Sequence, residues 1–284
     1  MKKANILEFV SRFGTYMIVI ILVGLGCVIS DKFLSTTNLI NILDAVSYLG
    51  ILASGMALVT YCGQSVDLST PSTIAVASFV SILTLRFGMI PMILCTLLSG
   101  ALIGLFNGLV VGKFRINTVV WTLAVSFVFA GLIRVIFGSA NIYVTTGNTR
   151  AFEQISRYRI SGRIPLGVVV MVALMIGLHI FVSRSRIGRQ LKLVGCSELV
   201  ARYSGINVLR IITLSFVGSG MAAAITGLFI ASLSKSACYN YGTGYEFRAI
   251  TAVVLSGMVL DGGRGSIAGV LGGVLAIGLL NNIM

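Results

Sequence analysis

The sequence predicts an all-α, polytopic membrane protein, built as a helix bundle with about nine transmembrane helices. Of its 284 residues, 57% are hydrophobic and only 10% are charged, whereas an average soluble domain is roughly 25% charged. The chain has 33 glycines and 3 prolines, which suits helices whose backbones approach closely in lipid. These observations exclude an ordinary soluble fold, and they also exclude a disordered or fibrous chain.

The side chains that most enzymes need are scarce in this sequence. It contains 8 Asp and Glu residues together and a single histidine, His179. Few residues are therefore available to form paired catalytic carboxylates or a cluster of metal ligands. The five cysteines show no CxxC spacing, which indicates neither a disulfide framework nor a metal site. We therefore expect no catalytic residue, no metal and no cofactor, and we interpret His179 as a packed or interfacial residue.

Apolar stretches between the charged residues are long enough to cross a hydrocarbon core about 30 Å thick. The first is interpreted as a membrane anchor, because no small-residue cleavage pattern follows it. All are assigned to one transmembrane domain, residues 1–284. The predicted spans are 14–30, 45–66, 68–85, 87–112, 116–136, 164–183, 211–234, a short one at 249–260, and 265–284.

The segment from Gly63 to Pro71 interrupts the second and third spans with an acid, hydroxyls and a proline. Polar backbone at membrane depth is tolerated only where it faces protein or water, and broken helices mark substrate paths in transporters. Two interpretations stay open. Asp67 or Ser69 caps the next helix after a simple turn, or Asp67 orders a helix break that lines a translocation path.

Glycines recur every four residues in two spans and give each span a smooth face. This spacing permits close helix crossing, and we expect tight packing inside the bundle, with a subunit interface or a sliding surface as the alternative. The two sets are Gly100, Gly104, Gly108 and Gly112, and Gly265, Gly269 and Gly273.

The distribution of basic residues predicts the orientation of the chain. The net charge of +13 is assigned to topology and to anionic lipid headgroups rather than to nucleic acid. Residues 184–210 carry six basic residues against a single Glu198, which places this stretch in the cytoplasm. Residues 138–163 then lie outside, although they also carry several arginines.

A short independent helix is predicted at 197–205 within this basic stretch. Ser197 caps its start, Glu198 and Arg202 form an i,i+4 pair, and Gly205 ends it in the left-handed conformation. No span of its own covers its apolar stripe, which consists of Leu199, Tyr203 and Ile206. Such a stripe fits a docking surface for another protein, and a connector folded against the bundle's own end fits equally well.

Two glycine-rich segments near the end of the chain do not form a phosphate-binding loop. Residues 242–244 and 262–265 lack the GK[ST] ending of a P-loop, and no strand is predicted before them. The tyrosines around residues 239–245 are typical of a membrane interface. We therefore expect no nucleotide site in this chain.

Four stretches together resemble the permease subunits of bacterial ABC importers for simple sugars, in the branched-chain permease superfamily. They occur in the family's order from about Asn38 to the last residue. The stretches are Gly63-Gln-Ser-Val-Asp-Leu-Ser69, Ile187-Gly-Arg-Gln-Leu with Ala201-Arg-Tyr-Ser-Gly-Ile-Asn-Val208, Gly242-Thr-Gly-Tyr-Glu-Phe247, and Gly262-Gly-Arg-Gly-Ser-Ile with Asn281-Asn282.

The resemblance implies a type II ABC importer-like bundle in the bacterial inner membrane, with about ten helices in the family and the last one missing here. It also implies three protein partners: a cytoplasmic ATPase, an extracytoplasmic sugar-binding protein and a second permease copy. The translocation path is expected to involve Asp67, Ser69, Tyr245 and Glu246. The coupling helix that docks on the ATPase is expected to use Ser197, Glu198, Leu199, Ala201, Arg202, Tyr203 and Gly205.

The sequence departs from the family at the proposed path. Thr70 and Pro71 replace a Val-Gly pair, and Arg248 stands where the family has an acid. These departures leave the sugar open, and a heteromeric permease pair is an alternative to a homodimer. A secondary carrier or channel is the second function class, although such carriers usually place acids in several spans and only Asp67 fits that description.

Overall fold

The computed structural model describes residues 2–145 and 147–284, with residues 2–13 described by their helical backbone alone. Helices account for nearly all of the regular structure. The first six helices are α1 (Lys2–Ile29), α2 (Thr36–Tyr61), α3 (Thr70–Thr84), α4 (Met89–Phe114), α5 (Thr118–Phe137) and α6 (Thr149–Arg157). The others are α7 (Leu166–Arg184), α8 (Arg186–Cys196), α9 (Glu198–Tyr203), α10 (Val208–Ser234), α11 (Tyr245–Leu255) and α12 (Ile267–Ile283).

Four two-residue strands complete the regular structure and lie in the loops. β1 (Ile142–Tyr143) pairs antiparallel with β4 (Ser236–Ala237), and β2 (Arg159–Ile160) pairs antiparallel with β3 (Ile164–Pro165). A 3₁₀ turn at Leu85–Phe87 extends α3. The predicted all-α bundle is confirmed.

Six of the described helices are long and apolar enough to cross a membrane. They are α2, α3 with its 3₁₀ extension, α4, α5, α7 and α10. The apolar half of α1 (Gly14–Ile29) and α12 are shorter, and α11 has only 11 residues. The count of nine crossings therefore stays a prediction.

The boundaries of two spans differ from the sequence prediction because polar residues begin the helices. The second span begins at Thr36 instead of 45, since the Ser35 side chain accepts a hydrogen bond from the Asn38 N–H at 3.3 Å. Asp44 does not end this helix, because its carboxylate pairs with Arg159 at 3.2 Å. Likewise α10 begins at Val208 instead of 211, behind the Asn207 cap.

The bundle is centred on α10, which packs against α2, α3 and α4. The glycine face of α4 makes the closest of these approaches: a Cβ at Gly100 or Gly104 would collide with the backbone of α10 at Gly220 or Phe216. In the second set, Gly273 of α12 packs on the Ala252 carbonyl of α11. Both glycine faces lie inside this chain's own bundle.

We expect Gly104→Ala to lower the thermal stability of the detergent-solubilised protein. Its Cβ would meet backbone atoms of Phe216 and Val217, and overpacking of this kind costs roughly 1–3 kcal/mol. Gly131→Ala is the matched control, because nothing lies within 4 Å of a Cβ at that position of α5. Equal unfolding temperatures for the two variants would contradict this packing role.

The bundle has an inner end and an outer end. The inner end carries residues 184–210, which are predicted to be cytoplasmic. There Gly63, Gly195 and Gly262 pack against one another, and the Gly263 N–H donates to the Tyr61 carbonyl at 3.0 Å. The outer end carries the β1–β4 pair and α6.

An ion-pair cluster joins the connections at the outer end. Glu153 of α6 pairs with Lys235 at 2.7 Å and with Arg157 at 2.9 Å. The Lys235 ammonium, through its hydrogen bond, is the main cause that lowers the pKa of the Glu153 carboxyl. Because folding lowers this pKa, the ion pair stabilises the folded protein at pH values above the ordinary Glu pKa. This stabilisation is lost as the pH falls through the lowered pKa.

Candidate functional site

The first component of the candidate site is the break between α2 and α3. The chain leaves α2 at Tyr61 and turns through Gly63 and Ser65, which both have positive φ. It then runs without helical structure to Ser69, and the Thr60 hydroxyl fixes the turn by donating to the Ser65 carbonyl at 2.7 Å. Proline is accepted in the first turn of a helix, where its missing N–H costs nothing, so α3 begins at Thr70 with Pro71 in its first turn.

Asp67 organises this break through hydrogen bonds, and its side chain is buried, with 1% of the residue exposed. Its Oδ1 accepts from the Ser69 N–H at 3.0 Å and from the Ser69 hydroxyl at 2.6 Å. Its Oδ2 accepts from the Ser219 hydroxyl of α10 at 2.8 Å. Asn107 of α4 donates to Ser69 Oγ at 2.8 Å, and Trp121 of α5 donates to Asn107 at 3.1 Å.

This polar cluster lies near the middle of the bundle. Ser219 is 11 residues beyond Val208, the first residue of the 27-residue α10, which corresponds to about 16 Å along the axis at 1.5 Å per residue. Buried polar groups at such depth need partners because water is absent. Asp67 therefore ties the break to α10, whereas the predicted side-chain cap of α3 by Asp67 or Ser69 is absent. The role of Asp67 in a translocation path stays a prediction.

Sequence reasoning identified Asp67 and Ser69 but missed their partners Asn107, Trp121 and Ser219. The structure adds a further one, Thr122, whose hydroxyl accepts from the Leu68 N–H at 3.0 Å. Polar side chains inside apolar spans are the signal that could have identified these partners, because such residues are costly in lipid and mark functional positions.

The second component is a similar break before α11, approached from the outer end. Residues 238–244 lead into α11, and Gly244, with φ of +86°, precedes its first residue without a side-chain cap. Gly242 packs so closely on Pro71 that a Cβ there would collide with the Pro71 backbone. The N-termini of α3 and α11 therefore meet inside the bundle from opposite sides. Both partial positive charges of these helix ends point to this region.

The two predicted path residues on α11 differ in their surroundings. Tyr245 packs partly buried against the core. Glu246 is partly buried, and its Oε2 is buried without a hydrogen-bond partner in the part of the chain that the structure describes. An acceptor left unpaired in the interior is costly.

One side of α11 is not covered by this chain and carries a charged and a polar residue beside apolar ones. Phe247, Arg248 and Thr251 lie on this side of the helix and are exposed. The Arg248 guanidinium lies 5.8 Å from the centroid of the Tyr245 ring. Across residues 14–145 and 147–284, the ion pairs of the structure do not include Arg248.

The depth of Arg248 follows from the packing of α11 on α12. Ala252 contacts Gly273, which is six residues into α12, and Arg248 is one helical turn further toward the outer end. At 1.5 Å per residue this places the Arg248 backbone about 15 Å from the inner end of α12. An arginine at such depth faces a protein partner or a water-filled cavity rather than lipid.

The third component is the short helix α9 at the inner end. The Ser197 side chain caps it by accepting from the Val200 N–H at 3.3 Å, and Gly205 ends the turn with φ of +73°. Ala201 is buried, whereas Leu199 is 63% exposed and Tyr203 is 86% exposed. The predicted short helix is present, and Leu199 and Tyr203 of its predicted apolar stripe are uncovered. Ile206, the third residue of that stripe, instead packs partly buried against the core of the bundle.

The predicted i,i+4 pair between Glu198 and Arg202 is wrong. Glu198 instead pairs with Arg115, which follows α4, and accepts from Gln64 Nε2 at 3.1 Å. Gln64 in turn accepts from the Thr118 hydroxyl at 3.2 Å. A partner from another helix has replaced the neighbour in sequence, and it connects α9 directly to the α2–α3 break, because Gln64 is three residues before Asp67.

The cysteines and the acidic residues form neither covalent cross-links nor a metal centre in the described ranges. Cys27, Cys62, Cys95, Cys196 and Cys238 are free thiols. Within those same ranges, no three His, Cys, Asp or Glu side chains come together as metal ligands would.

A bundle of apolar helices, two helices whose N-termini meet inside it and an exposed surface helix at one end define a membrane permease. The chain belongs to the family described as "Branched-chain amino acid transport system / permease component", which it matches over residues 38–284. The predicted resemblance and the predicted location, a multi-pass protein of the bacterial inner membrane, are confirmed.

Among known proteins, the chain is similar to several import permeases. It is 33% identical to the ribose import permease protein of Bacillus subtilis, over 95% of this chain and 84% of the relative. It is 30% identical to the fructose import permease protein of Rhizobium meliloti, over 93% and 75% of the two chains. It is 33% identical to the autoinducer 2 import system permease protein of Yersinia enterocolitica, over 82% and 71%. No solved structure matches the chain significantly.

Proposed function

We propose that residues 1–284 form the membrane permease domain of an ATP-driven importer for a simple sugar or related carbohydrate. The observation that carries this proposal is the connection from α9 to the α2–α3 break through Glu198 and Gln64. A surface helix that docks on a motor subunit needs such a contact to transmit movement to the membrane interior. The relatives named for ribose, fructose and autoinducer 2 import support the substrate class.

The proposal gives each end of the bundle a partner. A cytoplasmic ATPase would contact the exposed side of α9, where Leu199 and Tyr203 lie, and would supply the hydrolysis, so the chain itself is not an enzyme. An extracytoplasmic sugar-binding protein would dock on the outer loops. A second permease copy, identical or similar, would complete the path.

The proposed path runs along the two helix breaks and the uncovered side of α11. Asp67 and Ser69 hold the first break, and Tyr245 and Glu246 begin the half-helix of the second. The exposed Thr251 hydroxyl offers a hydrogen-bonding group to a polyhydroxylated substrate. Arg248 adds a positive charge to the same side.

Reconstitution in proteoliposomes tests the proposed function. The permease is combined with a cytoplasmic ATPase and an extracytoplasmic sugar-binding protein from the same organism, and uptake of labelled ribose, fructose and other carbohydrates is measured. We expect uptake that requires ATP and all partners, and no ATP hydrolysis by the permease alone. Uptake by the permease alone, driven by a proton or sodium gradient, would establish a secondary carrier instead.

Cysteine labelling tests the path independently of the substrate. In a chain whose native cysteines are replaced, we expect Thr251→Cys to react with an impermeant, water-borne thiol reagent, because the α11 side faces water in the complex. Phe127→Cys is the control, since Phe127 is 71% exposed on α5, a helix that is mostly uncovered and faces lipid. Equal reactivity at the two positions would remove the α11 side from the path.

A further inference from the structure

A basic cavity lies at the inner end of the bundle, beside Tyr61, the last residue of α2. It has a volume of about 570 Å³ and lies between the last turns of α7, helix α8 and the start of α12. None of its lining residues is acidic, whereas Arg189 and Lys192 are basic. The polar groups that line it are Tyr61, His179, Ser183, Arg189, Lys192 and Ser266.

A second cavity continues from the first toward the middle of the bundle. It measures about 240 Å³, lies in the groove between α1, α7 and α12, and shares His179 and Ile267 with the basic cavity. Its other walls are almost wholly apolar and include Val172, Ile176 and Leu271. From His179 to Val172 the groove follows seven residues of α7, about 10 Å along the helix axis.

The two cavities are arranged as the headgroup and the acyl chain of a membrane lipid are. The basic cavity is at the level where α7 ends at Arg184, and the apolar groove extends from there into the depth of the spans. Ile176 is 55% exposed and Val172 is 39% exposed, so the groove opens to the side of the bundle where acyl chains lie. A free phosphate ion would bind in the basic cavity but would make no contact with the apolar groove.

Helix α8 holds the basic residues in place at the membrane surface. Its buried side carries Gly188, Leu191 and Val194, and Gly188 packs directly on the Phe181 and Val182 backbone of α7. Its opposite side carries Arg189, whose guanidinium donates to the Arg184 carbonyl at 3.0 Å. Amphipathic helices with basic polar sides lie in the plane of the headgroups.

We infer that this composite pocket binds one anionic phospholipid from the inner leaflet. Its headgroup phosphate lies between Arg189 and Lys192, and one acyl chain fills the groove beside Ile176. Basic pockets between transmembrane helices on the cytoplasmic side select anionic headgroups. The inference uses the predicted orientation of the chain but does not depend on the transported substrate.

Lipid binding to the full-length purified chain tests this inference. Binding of long-chain phosphatidylglycerol, phosphatidylcholine and short-chain phosphatidylglycerol is measured by native mass spectrometry, with inorganic phosphate as a competitor. We expect a preference for long-chain phosphatidylglycerol. The double variant Arg189→Gln/Lys192→Gln should weaken it about thirtyfold, since each basic residue near an anionic surface contributes about a fivefold gain in affinity.

Two further variants separate this site from general attraction to charge. Arg186→Gln/Arg210→Gln removes the same charge from exposed residues at the inner end that do not line either cavity, and it should bind lipid normally. Ile176→Trp fills the groove and should weaken long-chain but not short-chain binding.

Three outcomes would overturn the inference. If both double variants lost lipid affinity equally, the effect would be due to surface charge alone. If inorganic phosphate displaced long-chain and short-chain phosphatidylglycerol equally well, this would be a phosphate site. Normal lipid binding by Arg189→Gln/Lys192→Gln with loss of the co-purified ATPase would assign the cavity to the protein partner. Because lipid binding is measured without transport, a failed transport proposal would leave these results unchanged.

Discussion

We expect Leu199→Asp to abolish uptake and co-purification of the ATPase, while the amount of permease in the membrane stays normal. The Leu199 side chain is 63% exposed on α9, so a carboxylate there disturbs little of the chain's own packing. In a docked complex the same carboxylate would lose its water in an apolar contact, which is costly for an unpaired charge. Membrane abundance and ATPase co-purification are measured on the same samples.

Leu260→Asp is the matched control for this prediction. Leu260 is 38% exposed in the loop between α11 and α12, also at the inner end, and the same chemical change there should leave ATPase binding intact. If α9 were only a connector packed on its own bundle, Leu199→Asp would lower abundance and the folded remainder would still bind the ATPase. Normal uptake by an abundant Leu199→Asp protein would remove α9 from the mechanism.

Gly205→Val tests the shape of α9 rather than its contact surface. Gly205 has φ of +73°, and nothing lies within 4 Å of a Cβ at this position. The cost is therefore in the backbone, about 1–2 kcal/mol for a β-branched residue. We expect this variant to insert and fold but to lose uptake and ATPase association, because the chain after α9 is displaced. Retention of both activities would show that this turn is not needed for docking.

We expect Asp67→Ala to destabilise the permease more than Gly104→Ala or Gly205→Val does. The substitution leaves three buried donors without an acceptor, namely the Ser69 N–H and the hydroxyls of Ser69 and Ser219. Each costs roughly 1–3 kcal/mol. We expect a large fall in the unfolding temperature in detergent and little folded protein in the membrane. Asp67→Asn keeps one acceptor oxygen and should be milder.

Asp44→Ala supplies the comparison for Asp67. Asp44 also belongs to a membrane-spanning helix, α2, but its ion pair with Arg159 is partly exposed at the outer end, and pairs of this kind contribute about 0–1 kcal/mol. If Asp67→Ala were no more harmful than Asp44→Ala, the buried hydrogen bonds of Asp67 would not be what holds the break. Uptake by folded Asp67→Asn protein then measures whether the carboxylate charge also serves the path.

The contacts of Glu198 give a physical reason to expect coupling between the two sites. Arg115 follows α4, Gln64 belongs to the α2–α3 break, and both contact Glu198 at the start of α9. A movement of α9 would therefore act on the chain three residues before Asp67. The cluster around Asp67 in turn contacts α4, α5 and α10.

The sequence by itself determined the parts of this protein that depend on local chemistry. Long apolar runs form helices in lipid whatever surrounds them, because every backbone group must be satisfied within the segment. The Ser197 cap and the positive φ of Gly205 depend on neighbours a few residues away, and both occur in the structure. The motifs that identify the family are local as well.

Only the tertiary structure decided how these local pieces meet. Ser219 is 152 residues from Asp67, Gly242 packs on Pro71, and Glu198 takes Arg115 instead of its neighbour Arg202. The start of α2 was misplaced for the same reason, since Asp44 is tolerated within a helix because Arg159 reaches it from another segment. A buried polar group in a membrane protein needs a hydrogen-bond or ion-pair partner, and the packing of helices from distant parts of the chain determines which residue that partner is.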